Sequence, residues 1–238
     1  MAHAFDRVYV AGHTGMVGSA VVRRLQRDNV ETVVKSRTEL DLLDQKAVHE
    51  FLKNEPVDAV VLAAAKVGGI LANSEYPVDF LYVNLQIQNN VIHAAAEAGI
   101  KRLLFLGSSC IYPKFSEQPI REDALLTSPL EPTNQWYAIA KIAGVYLCKA
   151  YREQHGLSYI SAMPTNLYGP NDNFDPVTSH VLPALIRKFV EAKKSGRKSV
   201  EIWGTGTPLR EFMHVDDLAD ALVFLLSSYD GAEPINAG

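Results

Sequence analysis

The stretch Arg7-Val8-Tyr9-Val10-Ala11-Gly12-His13-Thr14-Gly15-Met16-Val17-Gly18 says more about architecture than any other in the chain. A short apolar run, Arg7–Ala11, leads straight into a G-x-x-G-x-x-G spacing. Helical periodicity follows over Met16–Arg27, with Val17, Ala20, Val21 and Leu25 on one face. Strand, glycine turn and helix in that order predict a dinucleotide-binding unit. Gly12 makes the tight turn, and Gly15 lets the backbone approach a pyrophosphate. Gly18 lets helix and strand pack closely, and the helix N-terminus faces the anion. His13, Thr14, Met16 and Val17 complete the loop. A plain glycine turn is the bland alternative, and the placement between strand and helix argues against it.

Outward from this loop, strand and helix patterns alternate. Residues 31–34, 59–63, 103–106 and 159–163 read as strands. Residues 43–53, 77–98 and 136–155 read as helices, with Gly99 and Gly156 ending the last two. The rhythm predicts an α/β fold, a Rossmann doubly wound parallel sheet with helices on both faces. Beyond about Pro164 the pattern loosens into loops rich in Pro, Asn and Gly. The expected division is a nucleotide-binding domain over 1–165 and a smaller substrate-binding lobe over 166–238, interleaved with the sheet. Residues 233–238 read as a strand entering a turn, so the lobe is expected to be incomplete in this chain.

The chain has 238 residues, 47% apolar and 21% charged, an ordinary globular composition. A net charge of −4 argues against non-specific nucleic-acid binding. No apolar run reaches the roughly 18–20 residues of a membrane span. The N-terminus has no signal-peptide pattern, and two distant cysteines make no disulfide framework, so a cytoplasmic setting is expected. Without HExxH or CxxC spacing, no metal site is expected.

The stretch after the second strand selects the dinucleotide. A reader of a free ribose 2′-hydroxyl is an acid about 20 residues beyond the glycines. Here the sequence is Val34-Lys35-Ser36-Arg37, with no acid before Glu39. Arg37 suits a 2′-phosphate, which a carboxylate would repel, so NADP is expected. Solvated surface charge is the alternative for Lys35 and Arg37. Asp41 and Leu42 fit a contact to the adenine edge.

Two further clusters suggest chemistry. Tyr137 and Lys141 stand four apart on one helix face. An ammonium near a phenol favours the phenolate, lowering its pKa from about 10. After the fourth strand comes Gly107-Ser108-Ser109-Cys110-Ile111-Tyr112-Pro113. If this segment is extended, Ser108 and Cys110 share a side. Ser108 could then bind a carbonyl beside Tyr137, and Cys110 could remove a proton from the adjoining carbon. A small buried thiol is the composition-based alternative for Cys110. Cys148, at helical spacing with Val145 and Tyr151, reads as core, and His13 and His214 as structural.

Together AGHTGMVGSA, LAAAKVGGI, LGSSCIYPK, EPTNQWYAIAKIAG, MPTNLYGPNDNF, SHVLPALIRK and WGTGTPLREFMHVDD resemble the extended short-chain dehydrogenase/reductases. Within that family they resemble its GDP-keto-sugar epimerase/reductases, and the similarity spans nearly the whole chain. The resemblance implies an NADPH-dependent enzyme that inverts C3 and C5 of GDP-4-keto-6-deoxy-D-mannose and reduces C4. It implies a reductase triad of Ser108, Tyr137 and Lys141, with Cys110 as epimerisation base and His180 as the acid on the opposite face. It places Leu106, Gly107, Pro164, Asn166, Leu167 and His180 beside the cofactor. Lys188, Trp203 and Arg210 fall at positions that hold the GDP-sugar. A homodimer through helices 77–98 and 136–155 is also implied. Thr14 and Lys188 depart from the family pattern, each standing where an arginine is expected. Read without the resemblance, His180 is better taken as a capping or packing residue. The rival readings are a sugar-nucleotide 4-epimerase or 4,6-dehydratase, which recycles NAD, and a non-catalytic NADP-binding regulator.

Overall fold

The computed structural model describes residues 5–238 except 177, 203 and 208. Strands β1 (Arg7–Ala11), β2 (Glu31–Val33), β3 (Ala59–Leu62), β4 (Arg102–Leu106), β5 (Ser158–Pro164) and β8 (Ile235–Ala237) form one sheet in the order β2-β1-β3-β4-β5-β8. Every pairing is parallel. Such a sheet must be covered on both sides, which is why β3 and β4 read as unbroken apolar runs. Side chains alternate between two cores. Tyr9 and Ala11 point into one, with Val48, Val91, Ile92 and Val145. Val8 and Val10 point into the other, with Ala20, Val21, Leu218 and Leu222.

Helices α2 (Gln45–Asn54), α4 (Pro77–Glu97) and α5 (Gln135–His155) cover the first face. Helices α1 (Met16–Arg27) and α7 (Val215–Ser228) cover the second. Arg23 and Arg27 of α1 pair with Asp216 and Asp220 of α7 at 2.5 and 2.6 Å. The chain runs from β1 outward to β2 and then returns to β3 on the other side of β1. The switch point therefore lies between β1 and β3, at their carboxyl ends, where an open α/β sheet binds ligands.

Away from the sheet stand the short helix α3 (Ile70–Glu75), the helix α6 (Val181–Lys194) and a parallel pair, β6 (Asn166–Tyr168) with β7 (Phe212–His214). Of the stretch 166–238, α7 and β8 belong to the Rossmann layers. What stands off the sheet is the part between Asn166 and His214. His214 caps α7, its Nδ1 accepting from the Asp216 N–H at 3.2 Å.

One expectation of local structure changes. Residues 109–111 are not extended: Ser108 caps a single 3-10 turn there. Along residues 77–97 the buried stripe is Phe80, Asn84, Gln88, Val91, Ile92 and Ala95, and Val83 and Ile87 are only half-buried. Asn236 on β8 pins the loop that follows β4. Its side-chain oxygen accepts from the Tyr112 hydroxyl at 2.6 Å, and its Nδ2 donates to the Ile120 carbonyl at 3.0 Å. Its backbone N–H donates to the Glu122 carboxylate at 3.0 Å.

Candidate active site

The glycine loop sits at the switch point. Gly12 has φ +90°, and a Cβ there would lie 2.6 Å from the Ala64 nitrogen beyond β3. A Cβ on Gly18 would lie 2.1 Å from the Gly12 carbonyl oxygen. Neither position tolerates a side chain. Gly15 is exposed and has only the Gly12 oxygen nearby, at 3.4 Å. It is also the N-cap of α1, with no side-chain cap. The first-turn N–H groups therefore open toward the loop mouth, as a bound diphosphate requires. Thr14 is exposed, and His13, Met16 and Val17 are half-buried, with the His13 Nδ1 left without a partner.

Beyond β2, Glu39 turns back on the chain. Its carboxylate accepts from the Ser36 N–H at 2.8 Å and from the Ser36 hydroxyl at 2.6 Å, which holds it below the usual glutamate range. The nearest acid is thus spent on the turn. Arg37 is exposed, and no ion pair engages it among the described residues. Asp41 accepts from the Leu43 N–H at 3.1 Å, and the Leu42 carbonyl accepts from Asn90 at 2.8 Å. The cradle and the cation fit an adenine dinucleotide carrying a 2′-phosphate.

The second group gathers where β4 ends against α5. Gly107 continues the ladder by donating to the Ala162 carbonyl at 2.9 Å. A Cβ on it would strike the Met163 sulfur at 2.3 Å. Gly144 likewise lets α5 approach β4, since a Cβ there would lie 2.4 Å from the Phe105 ring. This closeness carries Lys141, 2% exposed, over the sheet edge. Its Nζ donates to the Leu106 carbonyl at 2.7 Å and stands 4.7 Å from the Phe105 ring centre and 5.7 Å from that of Tyr137. Burial pulls the ammonium down to about 8.

Tyr137 packs edge-on to Phe80 with ring centres 6.5 Å apart. Burial, and behind it the Cys110 thiol, push its phenol well above the ordinary range. The Lys141 ammonium, from which a lowering is expected, is directed at the Leu106 carbonyl, and burial sets the direction for Tyr137. Cys110 and Ser108 do meet, through the 3-10 turn and not through strand parity. The Cys110 N–H donates to the Ser108 hydroxyl oxygen at 3.4 Å. Burial pushes the Cys110 thiol up, and the Ser108 hydroxyl and the Lys141 ammonium pull it down.

The remaining candidates lie on other segments. Pro164 is buried at the end of β5, Leu167 is half-buried, and Asn166 is exposed and donates to the Glu211 carbonyl at 3.1 Å. His180 is the exposed N-cap of α6. Lys188 reaches the Glu201 carbonyl at 3.4 Å, and Arg210 is exposed, donating to the Leu209 carbonyl at 2.8 Å. Trp203 falls outside the described residues. The structure thus brings Ser108, Cys110, Tyr137 and Lys141 together and leaves His180, Lys188 and Arg210 on the segment that stands off the sheet. Sequence reasoning missed Asn84 and Asn73. For Asn84 a signal was visible, since Asn84 and Gln88 stand four apart in the otherwise apolar buried stripe of α4; Asn73, on the short α3, carried none.

A parallel sheet with a glycine loop at its switch point and a Ser–Tyr–Lys group at the next crevice is the arrangement of a dinucleotide-dependent enzyme. Residues 8–238 match the model of the NAD dependent epimerase/dehydratase family, and the chain belongs to it. It is 64% identical over 233 residues to GDP-L-fucose synthase 1 of Arabidopsis thaliana, covering 98% of this chain and 72% of that protein. It is 58% identical to the GDP-L-fucose synthase of Escherichia coli, over 93% of this chain and 69% of that protein. Among solved structures, a GDP-L-fucose synthetase from Naegleria fowleri bound to NADP superposes with a TM-score of 0.88. It is 33% identical, with 100% of this chain and 77% of that one covered.

Proposed function

We infer that this chain catalyses 3,5-epimerisation and 4-reduction of GDP-4-keto-6-deoxy-D-mannose, giving GDP-L-fucose, with NADPH as reductant. The single observation that carries the reading is the Ser108–Cys110–Tyr137–Lys141 group at the mouth of β4, beside a dinucleotide cradle. The similarity to GDP-L-fucose synthases supports it. Preference for NADP is supported by the unengaged Arg37 and by the self-occupied Glu39.

The Ser108 hydroxyl and the Tyr137 phenol hold the C4 carbonyl oxygen. Cys110, as thiolate, takes the proton from C3, releases it to solvent, and then takes the proton from C5. The C–H electron pair moves into an enolate whose oxygen those two donors stabilise. His180 returns a proton from the opposite face and recovers one from solvent. NADPH, when bound, supplies hydride to C4. Tyr137 gives its proton to the C4 oxygen, and Lys141 stabilises the resulting phenolate. Pro164, Asn166, Leu167, Leu106 and Gly107 shape the nicotinamide side, and Lys188, Trp203 and Arg210 hold the GDP-sugar.

Residues 1–165 supply the nucleotide site, and the segment between Asn166 and His214 supplies the sugar side. We place the enzyme in the cytoplasm as a homodimer through α4 and α5, which leave Val78, Tyr82, Ile139 and Tyr146 exposed. The deciding assay follows nicotinamide oxidation with the keto-sugar, in parallel with NADPH and NADH, and identifies the product. GDP-L-fucose formed preferentially with NADPH supports the reading. Cofactor binding without turnover of any GDP-keto-sugar removes it.

A further inference from the structure

The loop between β3 and α3 is strapped by two buried asparagines. Asn84, in the stripe of α4, accepts from the Lys66 backbone N–H at 2.8 Å. Its Nδ2 donates to the carbonyls of Lys66 at 3.0 Å and Phe80 at 2.7 Å. Asn73 donates from Nδ2 to the carbonyls of Gly68 at 2.8 Å and Gly69 at 3.1 Å. Both side chains are under 5% exposed, at 3% and 4%. The Lys66 ammonium pairs with Asp79 on α4. Asn84 uses both ends of its amide and Asn73 only its Nδ2, its Oδ1 being buried without a partner; releasing any of these bonds leaves a polar group dry, so each holds the backbone in one position.

The strapped loop touches both sides of the candidate site. On one side a Cβ at Gly68 would lie 3.0 Å from the Phe80 ring, and Phe80 packs on Tyr137. On the other, the Gly69 N–H donates to the Thr178 carbonyl at 3.1 Å. A Cβ at Gly69 would lie 3.0 Å from the Ser179 oxygen. His180 follows immediately, with no side-chain cap bond to α6. Its place therefore depends on the backbone of 178–179, which leans on this loop.

We propose that Asn84 and Asn73 are positioning residues that, through the loop they hold, fix His180 relative to the Cys110–Tyr137 side and so control inversion. The proposal rests on the epimerase reading and deepens it. Removal of a proton breaks a C–H bond, forms the Cys110 S–H bond and leaves the pair in the enolate. Inversion then needs a new C–H bond formed from His180 on the other face. If His180 is displaced, the Cys110 thiol trades its hydrogen with solvent and returns one to the enolate on the original face, so the carbon exchanges hydrogen without inverting. Holding the opposite-face donor is thus separable from proton removal and from hydride transfer.

The test uses Asn84→Ser and Gly69→Ala. The second keeps both asparagines, and Gly69 has φ −65° and ψ 179°, which alanine adopts freely. Its added methyl meets the Ser179 carbonyl oxygen at 3.0 Å and the Thr178 carbonyl oxygen at 3.6 Å. Reactions of the keto-sugar with NADPH in deuterated water are scored for deuterium at C3 and C5, for configuration at each, and for hydride transfer to an already inverted keto-sugar. Expected is a rise of about tenfold in exchange without inversion in both variants, with hydride transfer kept within about threefold. Amide hydrogen exchange across 173–181 is expected to quicken in Asn84→Ser. Exchange and inversion falling in parallel would overturn the proposal, as would unchanged amide exchange. A parent chain that turns over no keto-sugar would overturn the functional reading instead, and the amide exchange would still judge the strap.

Discussion

At the scale of single residues, Lys141 yields the sharpest prediction. Its folded value of about 8 lies below the ordinary lysine value of 10.5, so the unfolded chain holds that proton more tightly. The destabilising contribution is complete below pH 8 and fades as pH rises toward 10.5. Lys141→Met should therefore raise stability near neutral pH by about 1–3 kcal/mol, after the lost bond to the Leu106 carbonyl is deducted. The gain should shrink in alkaline melts while activity is absent throughout. Cys110, raised by burial, is the converse: proton wash-in at C3 should climb as pH rises above neutral and level off once Lys141 loses its charge. Cys110→Ser should abolish that wash-in and keep most hydride transfer to an inverted substrate; equal loss of both steps would refute the division of labour. Arg37→Ala should raise KM for NADPH about 10–100-fold and leave NADH nearly unaffected, as measured by steady-state kinetics. The glycine loop was legible in the sequence because its meaning is local. The Ser108–Cys110 pairing was reached through a wrong premise, since a cap on a 3-10 turn has no two-residue parity. Asn84 was passed over because its function is set by a loop 18 residues away.

At the scale of elements, the approach of α5 to β4 governs the chemistry. Gly144 permits it, and Gly144→Ala would set a methyl into the Phe105 ring and beside the Gln88 side-chain oxygen at 2.9 Å. Overpacking of this kind costs about 1–3 kcal/mol. The variant should melt lower and lose turnover more than cofactor affinity, because Tyr137 and Lys141 ride on α5 while the glycine loop does not. The longer helices and the buried strands through 164 were readable because each has a period or an apolar run; the six-residue α3 was not. β6 and β7 were not readable, since strands so short carry no period, and β8 was read as a strand without its partner β5. Helix α7, apolar at Val215, Leu218, Ala219, Leu222 and Leu226, has a legible period and was passed over where the pattern was taken to loosen beyond Pro164.

At the scale of the molecule, the exposed Val78 and Tyr82 of α4 and Ile139 and Tyr146 of α5 set the assembly prediction. Tyr82→Asp combined with Ile139→Asp should convert a dimer to a monomer in sedimentation; an unchanged mass would exclude that face. The three-layer plan also explains why the active site draws on distant sequence. Strand ends converge at one edge of a parallel sheet, so Gly12, Ala64, Gly107 and Pro164 become neighbours without any local signal. Asn236 extends the same convergence into time. Every residue of the proton-transfer group has left the ribosome well before Asn236 is made, yet three of the bonds that pin the loop after Ser108 and Cys110 wait for it. The nascent chain thus carries these reactive side chains before it can hold them in order, and the loop around them is pinned only once β8 has paired with β5.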